Sequence, residues 1–160
     1  MNFIPYGKQL LDQSDIDAVV ETLHSDYLTT GPKVKEFEDA LATYCGAAYC
    51  VAVSNGTAAL HLASLVLLNK DDKVLTTPNS FLATSNGILY AGAKPVFVDI
   101  ATDGNIDLDL CEAELKKDPS IKAVYAVAFS GQMVDQAKLK HLRETYAVTL
   151  FGPDGVSAIF

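Results

Sequence analysis

The run Cys50-Val51-Ala52-Val53-Ser54-Asn55-Gly56-Thr57-Ala58-Ala59-Leu60 joins a short apolar stretch to a helix through a small polar turn. An apolar run of strand length, a turn and then helical spacing make up the repeating unit of a parallel sheet. The same kind of run recurs at 73–77, 94–99 and 122–128, with helical spacing over 57–67, 81–90, 108–117 and 136–146. The runs are apolar almost throughout, as strands covered on both faces are. The prediction is an α/β fold with a mostly parallel sheet flanked by helices. Upstream, Ser14 is expected to cap a helix over 15–24 that carries Ile16, Val19, Val20 and Leu23 on one face. Pro32 is expected to open a second helix, with Phe37, Leu41 and Tyr44 at helical spacing and Gly46 ending it. The segment 100–106 reads as a simple turn.

Composition narrows the function. Hydrophobic residues make up 49% and charged residues 20% of the 160, which excludes a chain that is disordered throughout. Twelve Lys plus Arg against twenty Asp plus Glu leave a net charge of -8, and Arg143 is the only arginine. Nucleic acid and anionic membrane surfaces are therefore excluded as partners. No apolar stretch is long enough to cross a bilayer, and no basic region precedes an apolar run at the start, so no secretory signal is expected. Cys45, Cys50 and Cys111 form no CxxC, which argues against a disulfide framework or zinc knuckle and for a cytoplasmic location.

Two stretches carry candidate chemistry. At the start of a helix, backbone N–H groups lack intrahelical partners and, with the helix dipole, attract an anion. Gly56 would let the backbone come close to a phosphate, and Thr57 would add a hydroxyl. A capped helix in which Asn55 and Thr57 serve only the turn accounts for the same residues. GxGxxG and the lysine of a Walker loop are both absent, so dinucleotides and nucleoside triphosphates are set aside. The second stretch is Thr76-Thr77-Pro78-Asn79-Ser80-Phe81-Leu82-Ala83-Thr84, which follows the next strand. Ligands of open α/β sheets lie beyond the carboxyl ends of the strands, so this loop should reach the same crevice. Phe81 could present its face to a flat heterocycle or serve as an ordinary core residue. His24, His61 and His141 share no metal-ligand spacing, and no serine lies in a GxSxG context, so a metal site and a hydrolase are not expected.

Several words in order carry a resemblance. They are Tyr27-Leu28-Thr29-Thr30-Gly31-Pro32, Ser54-Asn55-Gly56-Thr57-Ala58-Ala59-Leu60, Thr76-Thr77-Pro78, Ser80-Phe81, Ala83-Thr84, Ala93-Lys94-Pro95-Val96-Phe97-Val98-Asp99-Ile100 and Asp103-Gly104-Asn105-Ile106-Asp107. Together they resemble the DegT/StrS family of pyridoxal-phosphate-dependent sugar aminotransferases, above all its members in pseudaminic acid biosynthesis, from about Phe3 to Tyr146. The resemblance implies the N-terminal part of an aspartate aminotransferase type I large domain. It implies transfer of an amino group, typically from glutamate, to a 4-keto-6-deoxy UDP-sugar, with pyridoxal 5'-phosphate as cofactor and a homodimer as the assembly. Gly56 and Thr57 would hold the cofactor phosphate and Phe81 would stack on the pyridine ring. Tyr6, Asp26, Tyr27, Leu28 and Thr29 would line the sugar-nucleotide entrance.

Two parts of that machinery are not matched. The family's Schiff-base lysine lies in a Ser-rich turn, and none of the eleven lysines stands in such a motif. The Asp that pairs with the pyridine nitrogen lies in an Asp-small-small-His run. Asp154 is near that place but lacks the His, and Pro153 and Gly155 flank it like a turn. The expectation is one partial domain over 1–160, with N-terminal helices over 1–46 and a βα sheet portion over 47–160. It would stop before the cofactor lysine and the small C-terminal domain, through truncation or a reading-frame slip after Ala147, and would be inactive. A non-catalytic remnant that keeps part of the phosphate or sugar-nucleotide surface is the alternative. Strands missing beyond that point would leave an apolar edge and one face of the sheet uncovered.

Overall fold

Residues 7–152 are described by the computed structural model, and the chain divides into two compact units, Met1–Ala52 and Val53–Phe160. The first holds two helices, α1 (Gln13–Leu23) and α2 (Pro32–Cys45). Asp12, not Ser14, caps α1. Its carboxylate accepts the N–H groups of Ser14 (2.8 Å) and Asp15 (3.3 Å), and the Asp15 side chain accepts the Asp12 N–H in return. Such reciprocal capping satisfies more orphan donors than one hydroxyl would, and the Ser14 hydroxyl itself donates to Asp12. Pro32 opens α2 and Gly46, at φ 65°, closes it, as the sequence predicts.

The expected strand over 50–54 does not form. Among the described residues its backbone has no ladder partner; the Ala52 N–H goes instead to the Glu38 carboxylate on α2, at 2.9 Å. Val51 and Val53 are exposed and Cys50 and Ala52 only half-buried, so the run is not covered on both faces as a central strand would be.

The second unit contains α3 (Gly56–Leu67), β1 (Lys73–Thr76), α4 (Ala83–Tyr90), β2 (Lys94–Phe97), α5 (Leu108–Lys117), β3 (Ile121–Tyr125), α6 (Gln136–Tyr146) and β4 (Thr149–Phe151). Among the described residues the four strands form one parallel sheet in the order β2-β1-β3-β4. The step from β1 to β2 crosses the sheet one way, and the steps to β3 and β4 cross it the other way. Crossovers of one hand then place their helices on opposite faces. Burial follows this arrangement. Leu75, Val124 and Leu150 face Leu108, Cys111 and Leu115 of α5 and Leu139 and Leu142 of α6. Their neighbours Val74, Ala123, Tyr125 and Phe151 face Leu60 of α3 and Ala83 and Ile88 of α4. Among the described residues both faces of this sheet carry helices, and cover is thinnest at β2, where Phe97 is 54% exposed. On the second face α3 and α4 meet backbone to backbone at Gly87. A Cβ there would lie 3.2 Å from the Leu60 carbonyl carbon and oxygen, so any side chain would push the two helices apart by a few tenths of an ångström.

Candidate functional site

The loop after β1 runs to α4 on one face of the sheet, and the loop after β3 runs to α6 on the other. They part beside one another, which opens the crevice of a doubly wound sheet at the carboxyl ends of β1 and β3.

The helix that begins with the polar turn is α3. Asn55 is its cap: its side-chain oxygen accepts the Ala58 N–H at 2.9 Å, and its carbonyl accepts the Ala59 N–H at 3.2 Å. This leaves the N–H groups of Gly56 and Thr57 without a hydrogen-bond partner among the described residues, both half-buried. The Asn55 side chain therefore satisfies one of the orphan donors, that of Ala58, and leaves Gly56 and Thr57 open at the tip, where helix geometry suits an anion. The Thr57 hydroxyl also has no partner among the described residues. The two readings of this turn are thus compatible: Asn55 does the capping while Gly56 and Thr57 stay open.

Thr76 ends β1 and Thr77 follows it, both buried, and Asn79 and Ser80 continue into a tight turn. The Ser80 and Thr84 hydroxyls share a hydrogen bond of 2.8 Å, and the Thr84 N–H donates to the Phe81 carbonyl at 3.0 Å. These bonds set the start of α4. The Phe81 ring itself is 81% exposed, which excludes the core role weighed for it and leaves its faces free to stack.

Sequence reading missed two features of the crevice rim. The segment read as a simple turn contains Asn105, which is only 2% exposed and makes four side-chain hydrogen bonds. At the end of β4, Gly152 sits at φ 145°, and a Cβ on it would stand 2.7 Å from the Ala126 carbonyl oxygen beyond β3. No side chain fits there, so the chain leaves β4 pressed against β3. A polar residue amid turn formers was the only sequence signal for Asn105, and Gly152 gave none.

One concave feature lies elsewhere. A hollow of about 420 Å³ is lined by Leu115, Lys116, Pro119, Ile121 and Tyr146, at the end of the sheet where β3 begins. The described residues hold no group of three His, Cys, Asp or Glu placed for a metal ion, and no helix long and apolar enough to cross a membrane.

A sequence model of the DegT/DnrJ/EryC1/StrS aminotransferase family matches residues 9–155. The chain belongs to that family. The match continues past Tyr146, where the family's words were expected to fade. Among DegT/DnrJ/EryC1/StrS relatives, the UDP-4-amino-4,6-dideoxy-N-acetyl-beta-L-altrosamine transaminase of Campylobacter jejuni is 45% identical over 148 residues, covering 92% of this chain and 39% of that protein. The spore coat polysaccharide biosynthesis protein SpsC of Bacillus subtilis is 36% identical over 160 residues, covering 99% of this chain and 41% of that protein. Among solved structures, Helicobacter pylori PseC, an aminotransferase involved in pseudaminic acid biosynthesis, superposes with a TM-score of 0.86 at 28% identity, covering 98% of this chain and 43% of that one. The PLP-form of the sugar aminotransferase Spr1654 from Streptococcus pneumoniae gives 0.84 at 28% identity, covering 94% and 42%. The fold is thus that of the fold type I PLP-dependent aminotransferases. The chain spans about two fifths of the length of the curated relatives it matches.

The predicted site residues fall into three groups. Gly56 and Thr57 begin α3, and Phe81 lies in the loop that leads into α4, all in the second unit. Asp26, Tyr27, Leu28 and Thr29 form an exposed link between α1 and α2 in the first unit, braced by the Ser25 hydroxyl bound to the Thr22 carbonyl at 2.7 Å. Tyr6 and Asp154 lie outside the described residues.

Proposed function

We propose that this chain forms the phosphate cradle and the ring-stacking wall of a pyridoxal-phosphate-dependent sugar aminotransferase. Its substrate would be a 4-keto-6-deoxy UDP-sugar of pseudaminic acid biosynthesis, with glutamate as amino donor. The observation that carries the reading is the pair of open N–H groups at Gly56 and Thr57 behind the Asn55 cap. They meet the chemistry of a phosphate monoester, which carries close to two negative charges and strong acceptor oxygens. When bound, pyridoxal phosphate supplies an electron sink for moving an amino group between donor and acceptor. The residues of the chain bind and orient it: Gly56 and Thr57 hold the phosphate, Phe81 covers one face of the ring, and Asp154 would bear on the ring nitrogen. Tyr6 and Asp26, Tyr27, Leu28 and Thr29 would receive the sugar nucleotide, in a cytoplasmic homodimer.

A specific observation favours binding without transfer by these 160 residues alone. Eight of the eleven lysines are ion-paired on the surface: Lys33, Lys35, Lys73, Lys94, Lys116, Lys117, Lys138 and Lys140. The other three, Lys8, Lys70 and Lys122, are exposed. A lysine that carries a cofactor needs a pKa lowered by burial or by cationic neighbours, and Lys33, Lys116 and Lys138 are instead shifted upward by carboxylate partners.

Titrating the chain with pyridoxamine 5'-phosphate by calorimetry tests the cradle. Thr57→Asp puts a carboxylate where the phosphate would sit. Repulsion of order 3 kcal/mol per charge at about 6 Å should cut affinity at least tenfold after screening. The same charge suits a helix start, so folding stability should hold or rise. Unchanged affinity would remove this turn from the site. No amino transfer to a 4-keto UDP-sugar is expected from the chain alone, and turnover would overturn that part.

A further inference from the structure

We propose that Asn105 and Asn79 are positioning residues for the cofactor ring, which fix the loop that presents Phe81 by tying together the loops after β1, β2 and β3. The proposal rests on the reading of Phe81 as the ring's stacking partner. Asn105 lies in the loop after β2. Its amide N–H groups donate to the Asp103 carboxylate at 3.1 Å, the Gln132 carbonyl at 3.2 Å and the Met133 carbonyl at 3.5 Å. Its oxygen accepts the Phe129 N–H at 2.9 Å. One buried side chain thus spends both its amide protons, and an acceptor site of its oxygen, on the loop after β3 and on its own turn. In the next bond of the chain, the Asn79 amide donates to the Gly104 carbonyl at 2.9 Å, which attaches the loop after β1.

The strand order makes this more than local turn chemistry. β2 and β3 lie on opposite sides of β1, so bonds from the β2 loop to the β3 loop pass over the carboxyl end of β1, beside the crevice. The β3 loop also needs holding, because Ser130 at φ 53° and Gly131 at φ 78° are both in the left-handed region and Ser130 has a Cβ. Phe81 is two residues from Asn79, and at 81% exposure packing does little to fix it. Its position is set through the backbone, and Asn79 is where that backbone is tied to the rest of the rim.

The test uses the full chain and the variants Asn79→Ala and Asn79→Asp, which has the same shape without the N–H. Asn79 is half-buried, so these perturb folding less than Asn105→Ala, which is run beside them with thermal melts of all four proteins. Amide hydrogen exchange of the segment 77–82 should speed up several-fold in both Asn79 variants, and exchange at 127–133 should speed up in Asn105→Ala, with the start of α3 unchanged. Affinity for pyridoxamine 5'-phosphate should fall about fivefold, as expected for one neutral hydrogen bond, while affinity for inorganic phosphate stays put. A purely structural role would lower both affinities together, and that result, or unchanged exchange at 77–82, overturns the proposal. Parent binding that Thr57→Asp weakens and Asn79→Ala leaves intact overturns the positioning role alone. A parent chain that binds no pyridoxamine 5'-phosphate overturns the cofactor reading and this inference with it.

Discussion

Helix α3, whose start forms the proposed phosphate cradle, is held on the sheet by the apolar packing of Leu60 and by one buried polar pair, and a double-mutant cycle should expose that pair. The Ser64 hydroxyl on α3 donates to the Leu60 carbonyl at 2.8 Å, which uses its only proton. The Tyr125 hydroxyl on β3, 3.0 Å from the Ser64 oxygen, must therefore be the donor to it. Both residues are almost fully buried, at 0% and 1% exposure. The Tyr125 ring also stacks on Phe151 of β4 with centroids 4.7 Å apart, a contact that Tyr125→Phe retains. That variant costs one hydrogen bond and leaves Ser64 still donating to Leu60, so about 1 kcal/mol is expected. Ser64→Ala instead strands the tyrosine O–H without a partner, at about 1–3 kcal/mol, with roughly 0.5 kcal/mol returned by the better helix propensity of alanine. The double variant removes both polar groups together. Its cost should fall about 1 kcal/mol short of the sum of the singles. Urea unfolding followed by far-UV circular dichroism measures all four proteins, and m should be unchanged throughout. Additive costs, or Ser64→Ala without penalty, would refute the claim that this pair couples α3 to β3.

Two further predictions concern the other face of the sheet. Glu112 on α5 accepts from Lys116 at 2.9 Å, Lys138 at 3.2 Å and Tyr146 at 3.1 Å, and these partners hold its carboxyl down to about 2. A carboxylate lowered from its ordinary value of about 4.5 contributes stability above that value and loses it as pH falls toward the folded value. Melts at pH 7, 4 and 2 should therefore show Glu112→Gln less stable than the parent at pH 7, with the gap closed near pH 2; a constant gap would refute the assignment. Burial, followed by the nearby Asp107, pushes the Cys111 thiol up to about 12, so at pH 8 roughly one in ten thousand is thiolate. A disulfide reagent should modify exposed Cys45 first and Cys111 only when the chain unfolds, and equal rates for both would contradict the packing of α5.

What the sequence reveals and conceals here follows from the range of the forces involved. Periodicity is a local signal of burial, so the runs at Lys73, Lys94 and Ile121 and the helices between them were legible, as was the parallel pairing. The apolar run from Cys50 shows the limit. A strand requires an edge to pair with, and no periodicity records whether that edge is free. The same distinction runs through the site. The open N–H groups of Gly56 and Thr57 follow from helix geometry plus one capping residue, so the sequence displays them. The exposure of Phe81 depends on what the fold leaves uncovered, and the role of Asn105 depends on three loops meeting. Asn105 and its neighbours look like any exposed turn until the order β2-β1-β3 brings the β3 loop over them. A polar residue at a turn is normally satisfied by water. Once the fold removes the water, its hydrogen bonds must be supplied by backbone groups that would otherwise go unpaired, and the residue becomes a constraint on every loop it touches. The parts of this site that a sequence hides are therefore its supports, and the parts it shows are the groups that would meet the ligand.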